Sequence, residues 1–175
     1  MRKETEKTEY YAHDTIGKVL SYTRNRAVLR HIQGYHVDIG CGDGQLIKLY
    51  SGESTGVDIC DYGNTDIVVS NFNLLPFEND GVDTVTIVAS FNYFEQPIKV
   101  LNEVRRILRH DGRLILTMPN ALIMKFWHKI RERWAFRYGY KRVELRNLLH
   151  QARLQIVRHH AFMLGLNHIY IIEKK

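Results

Sequence analysis

Val37-Asp38-Ile39-Gly40-Cys41-Gly42-Asp43-Gly44-Gln45 is the stretch that decides the fold of this 175-residue chain. A short apolar run breaks into three glycines at alternate positions, and a helical pattern, Gln45 to Tyr50, follows at once. Glycine takes φ > 0 without steric cost and lets backbone pass close to a ligand. The glycines therefore mark a junction where a strand turns into the start of a helix. In an open α/β sheet that junction lies at the carboxyl edge, where nucleotide-like ligands bind.

Outward from this turn, strands and helices alternate. Residues 9–32 read as a helix, with Ile16, Val19, Leu20, Ala27, Val28 and Ile32 mostly at three- and four-residue steps. Strands are expected at 36–39, 54–58 and 66–70, then at 82–89, where β-branched residues dominate. A helix over 96–108 carries Ile98, Leu101, Val104, Ile107 and Leu108 on one face, and Gly112 is expected to cap its end. A fifth strand, 113–118, stops at Pro119. Helical patterns at 121–136 and 143–152 precede two last strands, 155–159 and 167–172. This alternation implies parallel pairing with helices on both faces. There is no internal repeat or obvious linker, so residues 1–175 are expected to form a single domain.

Composition narrows the class. A 45% hydrophobic and 25% charged chain is ordinary for a globular protein. No apolar run approaches the roughly 18 residues that span a bilayer, and Met1 to Lys7 is too charged for a signal peptide. A cytoplasmic location is the expectation. Cys41 and Cys60 suit a reducing compartment, follow expected strands and form no metal-ligand pattern, so no metal site is expected.

The net charge of +6 is uneven: residues 1–124 hold 13 Lys/Arg against 16 Asp/Glu, and residues 125–158 hold 10 against 2. That basic segment interleaves Phe126, Trp127, Trp134, Phe136, Tyr138 and Tyr140. Such a mixture suits single-stranded nucleic acid, a phosphorylated or lipid-linked sugar, or an anionic membrane surface. An amphipathic cap is the simpler account, since Ile123, Trp127, Ile130 and Trp134 share one helical face.

Further features fall at the ends of successive strands. Asp58 ends the second strand 20 residues after Asp38, the spacing at which a carboxylate meets ribose hydroxyls. Asn71-Phe72 follows the third strand, an amide and an aromatic suited to a purine. Dinucleotide enzymes need G-x-G-x-x-G, whose third glycine permits close helix–strand packing beside a pyrophosphate. Here that position is Gln45, and Asp38 and Asp43 flank the turn. Two carboxylates disfavour a pyrophosphate and favour an ammonium or sulfonium group.

At these residues the chain resembles the class I S-adenosylmethionine-dependent methyltransferases, of the methyltransferase type 11 kind, from about residue 36 to 173. The resemblance implies an α/β, Rossmann-like doubly wound fold: a mostly parallel seven-stranded sheet, helices on both faces and an antiparallel last strand. It implies S-adenosyl-L-methionine as cofactor and S-adenosyl-L-homocysteine as product. Val37 to Gly44 is similar to the family's first motif, in which Asp38 helps hold the methionine amino group beside Gly40, Cys41, Gly42 and Gly44. Asp58 matches the ribose-binding acid, with Ile59 beside the adenine. Asn71-Phe72-Asn73-Leu74-Leu75-Pro76-Phe77 resembles the adenine-contacting D-A-x-x-L-P-F loop, with Asn71 in place of Asp. Ser90 and Phe91, after the fourth strand, complete the cofactor-binding set.

The resemblance also implies a layout in which residues 1–33 form a helical arm and 120–153 a basic, helical, substrate-side segment. In many relatives the arm closes over the cofactor, a role open here to Tyr10, Tyr11 and His13. Phe162 to Ile169 is similar to the F-x-x-G-L-N close of a bacterial subgroup associated with surface polysaccharides. Departures bear on the acceptor. The loop after strand four reads Ser90-Phe91-Asn92-Tyr93-Phe94-Glu95 where relatives often carry Glu-His, and Ala152-Arg153-Leu154 replaces Ala-Gly-Phe. No Asn/Asp-Pro-Pro-Tyr follows strand four, which argues against methylation of DNA-base amino groups.

The expected activity is therefore methyl transfer to a small-molecule or glycan acceptor, at oxygen. The alternatives are an RNA-binding protein or RNA methyltransferase using residues 125–158, or a non-catalytic cofactor-binding partner subunit. Candidate bases are Tyr93, Glu95, His128, His159 and His160, none with a defining motif, so no catalytic residue and no oligomeric state is assigned.

Overall fold

His36–Ile39 (β1) is buried at all four residues because it has a strand on each side. The computed structural model describes residues 15–120 and 140–175. Tyr10, Tyr11, His13, His128 and the helical pattern at 121–136 lie outside the described residues. Thr15–Leu29 (α1) precedes β1, and Gln45–Leu49 (α2) follows it. Ser54–Asp58 (β2), Ile67–Val68 (β3) and Val82–Val88 (β4) come next, then a 3₁₀ turn at Phe91–Tyr93 and Pro97–Ile107 (α3). Leu108–Pro119 (β5), Arg142–Gln151 (α4), Leu154–Phe162 (β6) and Asn167–Lys174 (β7) complete the order.

The seven strands form one sheet in the order β3-β2-β1-β4-β5-β7-β6. All pairs from β3 to β5 are parallel, and β7 runs antiparallel to both β5 and β6. The expected architecture, with its reversed last strand, is the one observed. The order runs outward on one side from β1 to β3 and resumes on the other at β4. The crevice between the ends of β1 and β4 is thus the switch point of the sheet.

Alternation along the strands sends side chains to two apolar layers. Val37, Ile39, Val85, Ile87, Leu114, Leu116, Tyr170 and Ile172 join Leu101, Val104, Leu145 and Leu149 of α3 and α4. Ile115, Ile169 and Ile171 face the other way, against Val28 of α1 and Leu46 of α2. Opposite Val37 and Ile39, β1 carries His36 and Asp38, both buried.

The helix before β5 departs from expectation. Gly112 does not cap it: α3 ends at Ile107, and Leu108 is already extended (φ −63°, ψ 138°) and paired with Val82. A register shift between Val82 and Thr84 absorbs residues 109–112. At Gly112 a Cβ would sit 3.0 Å from the Val82 carbonyl oxygen, so close backbone approach, not helix termination, explains this glycine. The third strand is also shorter than expected, because only Ile67 and Val68 pair with β2.

The loop from β3 to β4 is held by one buried acid. The Leu75 N–H donates to Glu103 (2.7 Å), and Arg106 donates to Glu103 and to the carbonyls of Leu75 and Phe77. Burial opposes ionisation of Glu103, but the Arg106 and Leu75 donors outweigh it and hold the carboxyl below its ordinary range. Among the described residues, no helix is long and apolar enough to cross a membrane.

Leu116 is fully buried in β5, between β4 and β7. Leu116→Ala is expected to lower stability by about 2–5 kcal/mol in urea denaturation. Val157→Thr, at an exposed bulge of β6, is expected to change it by less than about 0.5 kcal/mol.

Candidate functional site at the carboxyl edge

The alternating glycines adopt the conformation that their spacing predicts. Gly40, Gly42 and Gly44 have φ of +75°, +54° and +68°. They are not equivalent in space. A Cβ on Gly40 would meet the Ser90 side chain at 2.7 Å, and one on Gly44 would lie 2.9 Å from the Asn64 carbonyl oxygen. A Cβ on Gly42 would meet nothing within 4 Å. The outer glycines admit neighbouring loops, and the middle one opens onto free space.

Asp58 fixes this turn. The Gly42 N–H donates to its Oδ2 (2.9 Å), and the Ile59 N–H donates to its Oδ1 (2.7 Å). The N–H groups of Gly40 and Cys41 donate to the Val57 carbonyl oxygen. The end of β2 therefore holds the turn after β1 by backbone and carboxylate together. The Cys60 N–H also donates to Oδ1, at 3.4 Å; a carboxylate offers about four acceptor directions, so Asp58 keeps capacity for a further donor at Oδ2. Ile59 beside it is about half exposed.

Beneath the turn lies a buried chain that sequence spacing did not reveal. The Thr86 hydroxyl donates to Asp38 Oδ1 (2.5 Å), and His36 Nε2 lies 2.8 Å from the same hydroxyl oxygen. With Asp38 ionised the Thr86 proton is committed to it, and His36 then donates from Nε2. Burial lowers the pKa of His36 to about 4, which keeps the ring neutral. Burial also raises that of Asp38 to about 7; the Thr86 bond opposes this and the charge of Asp58 adds to it. Thr86 stands opposite Asp38 in the β1–β4 register. Its signal in sequence was polar alternation, Thr84 and Thr86, within an otherwise apolar strand.

Cys41 is a buried thiol whose pKa burial raises to about 12, with Asp38 and Asp58 adding to the effect. Its Sγ lies 3.0 Å from where a Cβ on Gly56 would sit, so β2 needs glycine there. Both cysteines are free.

The loops after β3 and β4 complete the edge. Asn71 is exposed, and its Oδ1 accepts from the Asn73 N–H (2.9 Å). Phe72 is buried and packs on Phe94 at 4.9 Å between ring centroids, as part of the core. After β4 the chain turns sharply at Ala89, whose φ of +56° is rare for a residue with a Cβ. Two bonds hold that turn: the Ala89 N–H donates to Thr117 Oγ1, and Ser90 Oγ donates to the Ile39 carbonyl. Phe91 is buried against Phe94 and Tyr140. Asn92, not singled out from sequence, is buried, and no donor among the described residues reaches its Oδ1.

Of the candidate bases, Tyr93 and Glu95 are exposed in this loop. His159 and His160 lie instead on β6, four places from β1 in the sheet. There His159 bonds to His168 (3.1 Å) and stacks on Tyr170. Among the described residues, no group of three or more His, Cys, Asp or Glu is placed to hold a metal ion.

Residues 37–116 match the family model described as a methyltransferase domain. That span is just under half of the chain. An uncharacterised protein of Methanocaldococcus jannaschii is 31% identical over 99 residues, 51% of this chain and 39% of that protein. A probable tRNA methyltransferase 9B of Mus musculus is 32% identical over 91 residues, 45% of this chain and 20% of that one. The chain thus spans under half the length of these curated relatives. A crystal structure from Thermotoga maritima, titled a SAM-dependent methyltransferase and possible histamine N-methyltransferase, superposes with TM-score 0.75 at 17% identity. It covers 99% of this chain and 97% of its own, and shows that the two chains share the Rossmann-like fold.

The two kinds of glycine separate in stability. Gly42→Ala is expected to cost about 1–2 kcal/mol from its left-handed backbone alone, and Gly40→Ala more, because Ser90 is in the way. Thermal denaturation of the two variants checks the order.

Asp38 has a pH signature of its own. Its pKa is near 3.8 unfolded and about 7 folded, so the native state binds more protons between those values and stability falls as pH rises through them. Asp38→Asn is expected to remove that slope, on the order of 1 kcal/mol per pH unit, in urea melts run at intervals from pH 4 to 8.

Proposed function

We propose that this chain is a methyltransferase that takes its methyl group from S-adenosyl-L-methionine and transfers it to oxygen of a small-molecule or glycan acceptor. The observation that carries the reading is Gly42, a left-handed glycine open to free space and bonded through its N–H to Asp58. The residues present fit the cofactor. The turn leaves room where a side chain would otherwise stand; Asp43 and Asp58 flank it with acidic groups suited to a cation, and Asp38 lies buried beneath it.

In this reading Asp38 holds the methionine amino group and Asp58 receives a ribose hydroxyl at Oδ2. Ile59 covers the adenine, and Asn71 meets the adenine amino group with the free lone pair of Oδ1. Gly40, Cys41 and Gly44 shape the turn. Ser90, Phe91 and Phe72 act from behind, by fixing the loops that bear these contacts. The cofactor supplies an activated methyl group on a good leaving group. The protein's share is then mostly positioning, worth roughly 7–11 kcal/mol in well-oriented cases. A general base adds about 10²–10⁴-fold where the acceptor must lose a proton, and Tyr93 and Glu95 are the candidates at this edge. The work is proposed to take place in the cytoplasm, by one domain.

An RNA acceptor is the second reading. The basic character of residues 125–158 favours it, as does the name of the Mus musculus relative.

Calorimetry tests the first reading. S-adenosyl-L-homocysteine is expected to bind the wild type, and Asp58→Ala to weaken binding by about tenfold or more. A wild type that leaves it unbound under native conditions overturns the proposal. Transfer of labelled methyl into cell extract, sorted by sensitivity to RNase, separates the two acceptors.

A further inference from the structure

The methyl-transfer reading gives Asp38 a part and leaves unused the two groups behind it, Thr86 of β4 and His36 of β1. All three side chains are buried, those of His36 and Thr86 completely. One atom sets the direction of their hydrogen bonds. His36 Nδ1 is sealed from solvent without a partner. A proton there would be a buried, unpaired N–H, which folded proteins avoid more strictly than an unused lone pair. The neutral ring therefore carries its proton at Nε2 and donates it to the Thr86 hydroxyl (2.8 Å). That hydroxyl must donate onward, to Asp38 Oδ1 (2.5 Å).

A charge on Asp38 is hard to keep while the site is empty. Only the Thr86 hydroxyl and the distant charge of Arg24 on α1 oppose its burial, and Asp58 of β2 adds repulsion. Among the described residues, no Lys or Arg forms an ion pair with Asp38. His36 is neutral, and so is the buried thiol of Cys41 beside it. A buried carboxylate without a counter-charge takes up a proton.

The chain decides where that proton sits. Oδ1 already receives the Thr86 hydroxyl, so the proton rests on Oδ2. No donor among the described residues reaches Oδ2, and it is not one of the partnerless polar atoms sealed from solvent. It is thus the oxygen left for a ligand. An ammonium group needs Oδ2 as an ionised acceptor, and a charge-assisted bond there is stronger than a neutral one. The proton and the ammonium exclude each other.

We infer that Thr86 and His36 are positioning residues that hold Oδ1 of Asp38, leaving Oδ2 to the cofactor's ammonium, which on binding displaces one proton from Asp38 to solvent. The O–H bond of the carboxyl opens, its proton passes to buffer, and the ammonium keeps its own three. The inference rests on the methyl-transfer reading and adds a regulation of the same site: the cofactor is held less tightly as the medium turns acid.

Calorimetric titration with S-adenosyl-L-homocysteine, in two buffers of different ionisation enthalpy, counts the protons released. Nearly one per ligand is expected at pH 6 and few at pH 8, since burial lifts the Asp38 carboxyl to about 7. Affinity is expected to rise by up to about tenfold per pH unit below that value and to level off above it. 5′-Methylthioadenosine keeps the nucleoside but lacks the amino acid, and is expected to bind without releasing a proton. Thr86→Val removes the donor at nearly constant shape. It is expected to move the pH midpoint of binding upward by about one unit or more, with Thr86→Ser restoring it and His36→Phe giving a smaller upward shift.

S-adenosyl-L-homocysteine that binds at pH 6 without releasing a proton overturns the inference, whatever the variants do. So does equal release with 5′-methylthioadenosine, which would place the proton on another group. A Thr86→Val variant that loses affinity evenly across pH overturns it too, because the hydroxyl then only supports the fold. In each of these cases the methyl-transfer reading stands. Absence of S-adenosyl-L-homocysteine binding at every pH sinks that reading, and the inference with it.

Discussion

The bond from Thr86 to Asp38 joins the two strands on either side of the switch point, and the rest of the edge depends on it. Central strands of a parallel sheet are buried on both faces, yet β1 brings His36 and Asp38 into that interior. A buried carboxyl is tolerable only with a donor. Thr86 supplies one from the neighbouring strand, and the neutral ring of His36 closes the chain behind it. The β1–β4 register that places Asp38 opposite Thr86 also aligns the loops that follow them. Ser90 can then reach the Ile39 carbonyl and Gly40 can admit Ser90.

Asp58 plays the corresponding part on the other flank. Its carboxylate ties the loop after β2 to the glycine turn, so a residue suited to hold ligand hydroxyls also shapes the surface they would meet. Phe72 shows a similar division of labour. It sits in a loop expected to face a purine, but its ring anchors that loop to Phe94 in the core.

Features set by local stereochemistry were legible in the sequence. The three left-handed glycines followed from their spacing, and the strands from runs of β-branched and apolar residues. Features set by distant pairing were not. Gly112 resembles a helix cap because the pattern before it is helical, and only Leu108 meeting Val82 turns that stretch into strand. His36 and Thr86 are 50 residues apart, so their contact has no local signature. The Phe162-Met163-Leu164-Gly165-Leu166-Asn167 motif, similar to a subgroup's closing sequence, has a plain local role. It turns β6 into β7, with Met163, Leu164 and Gly165 all at positive φ and Phe162 paired with Asn167.

The two outer strands of the sheet have a consequence for how copies of this chain meet. An exposed edge of unpaired N–H and C=O groups is a template for another strand, and hence for aggregation. At one end β3 is only two residues long. At the other, β6 is interrupted by a register shift between Ile156 and Arg158 and carries arginine beside it. One edge is too short to recruit a strand, and the other is bent and repels its own kind. Among the described residues, strand addition between copies is thereby discouraged at both borders of the sheet.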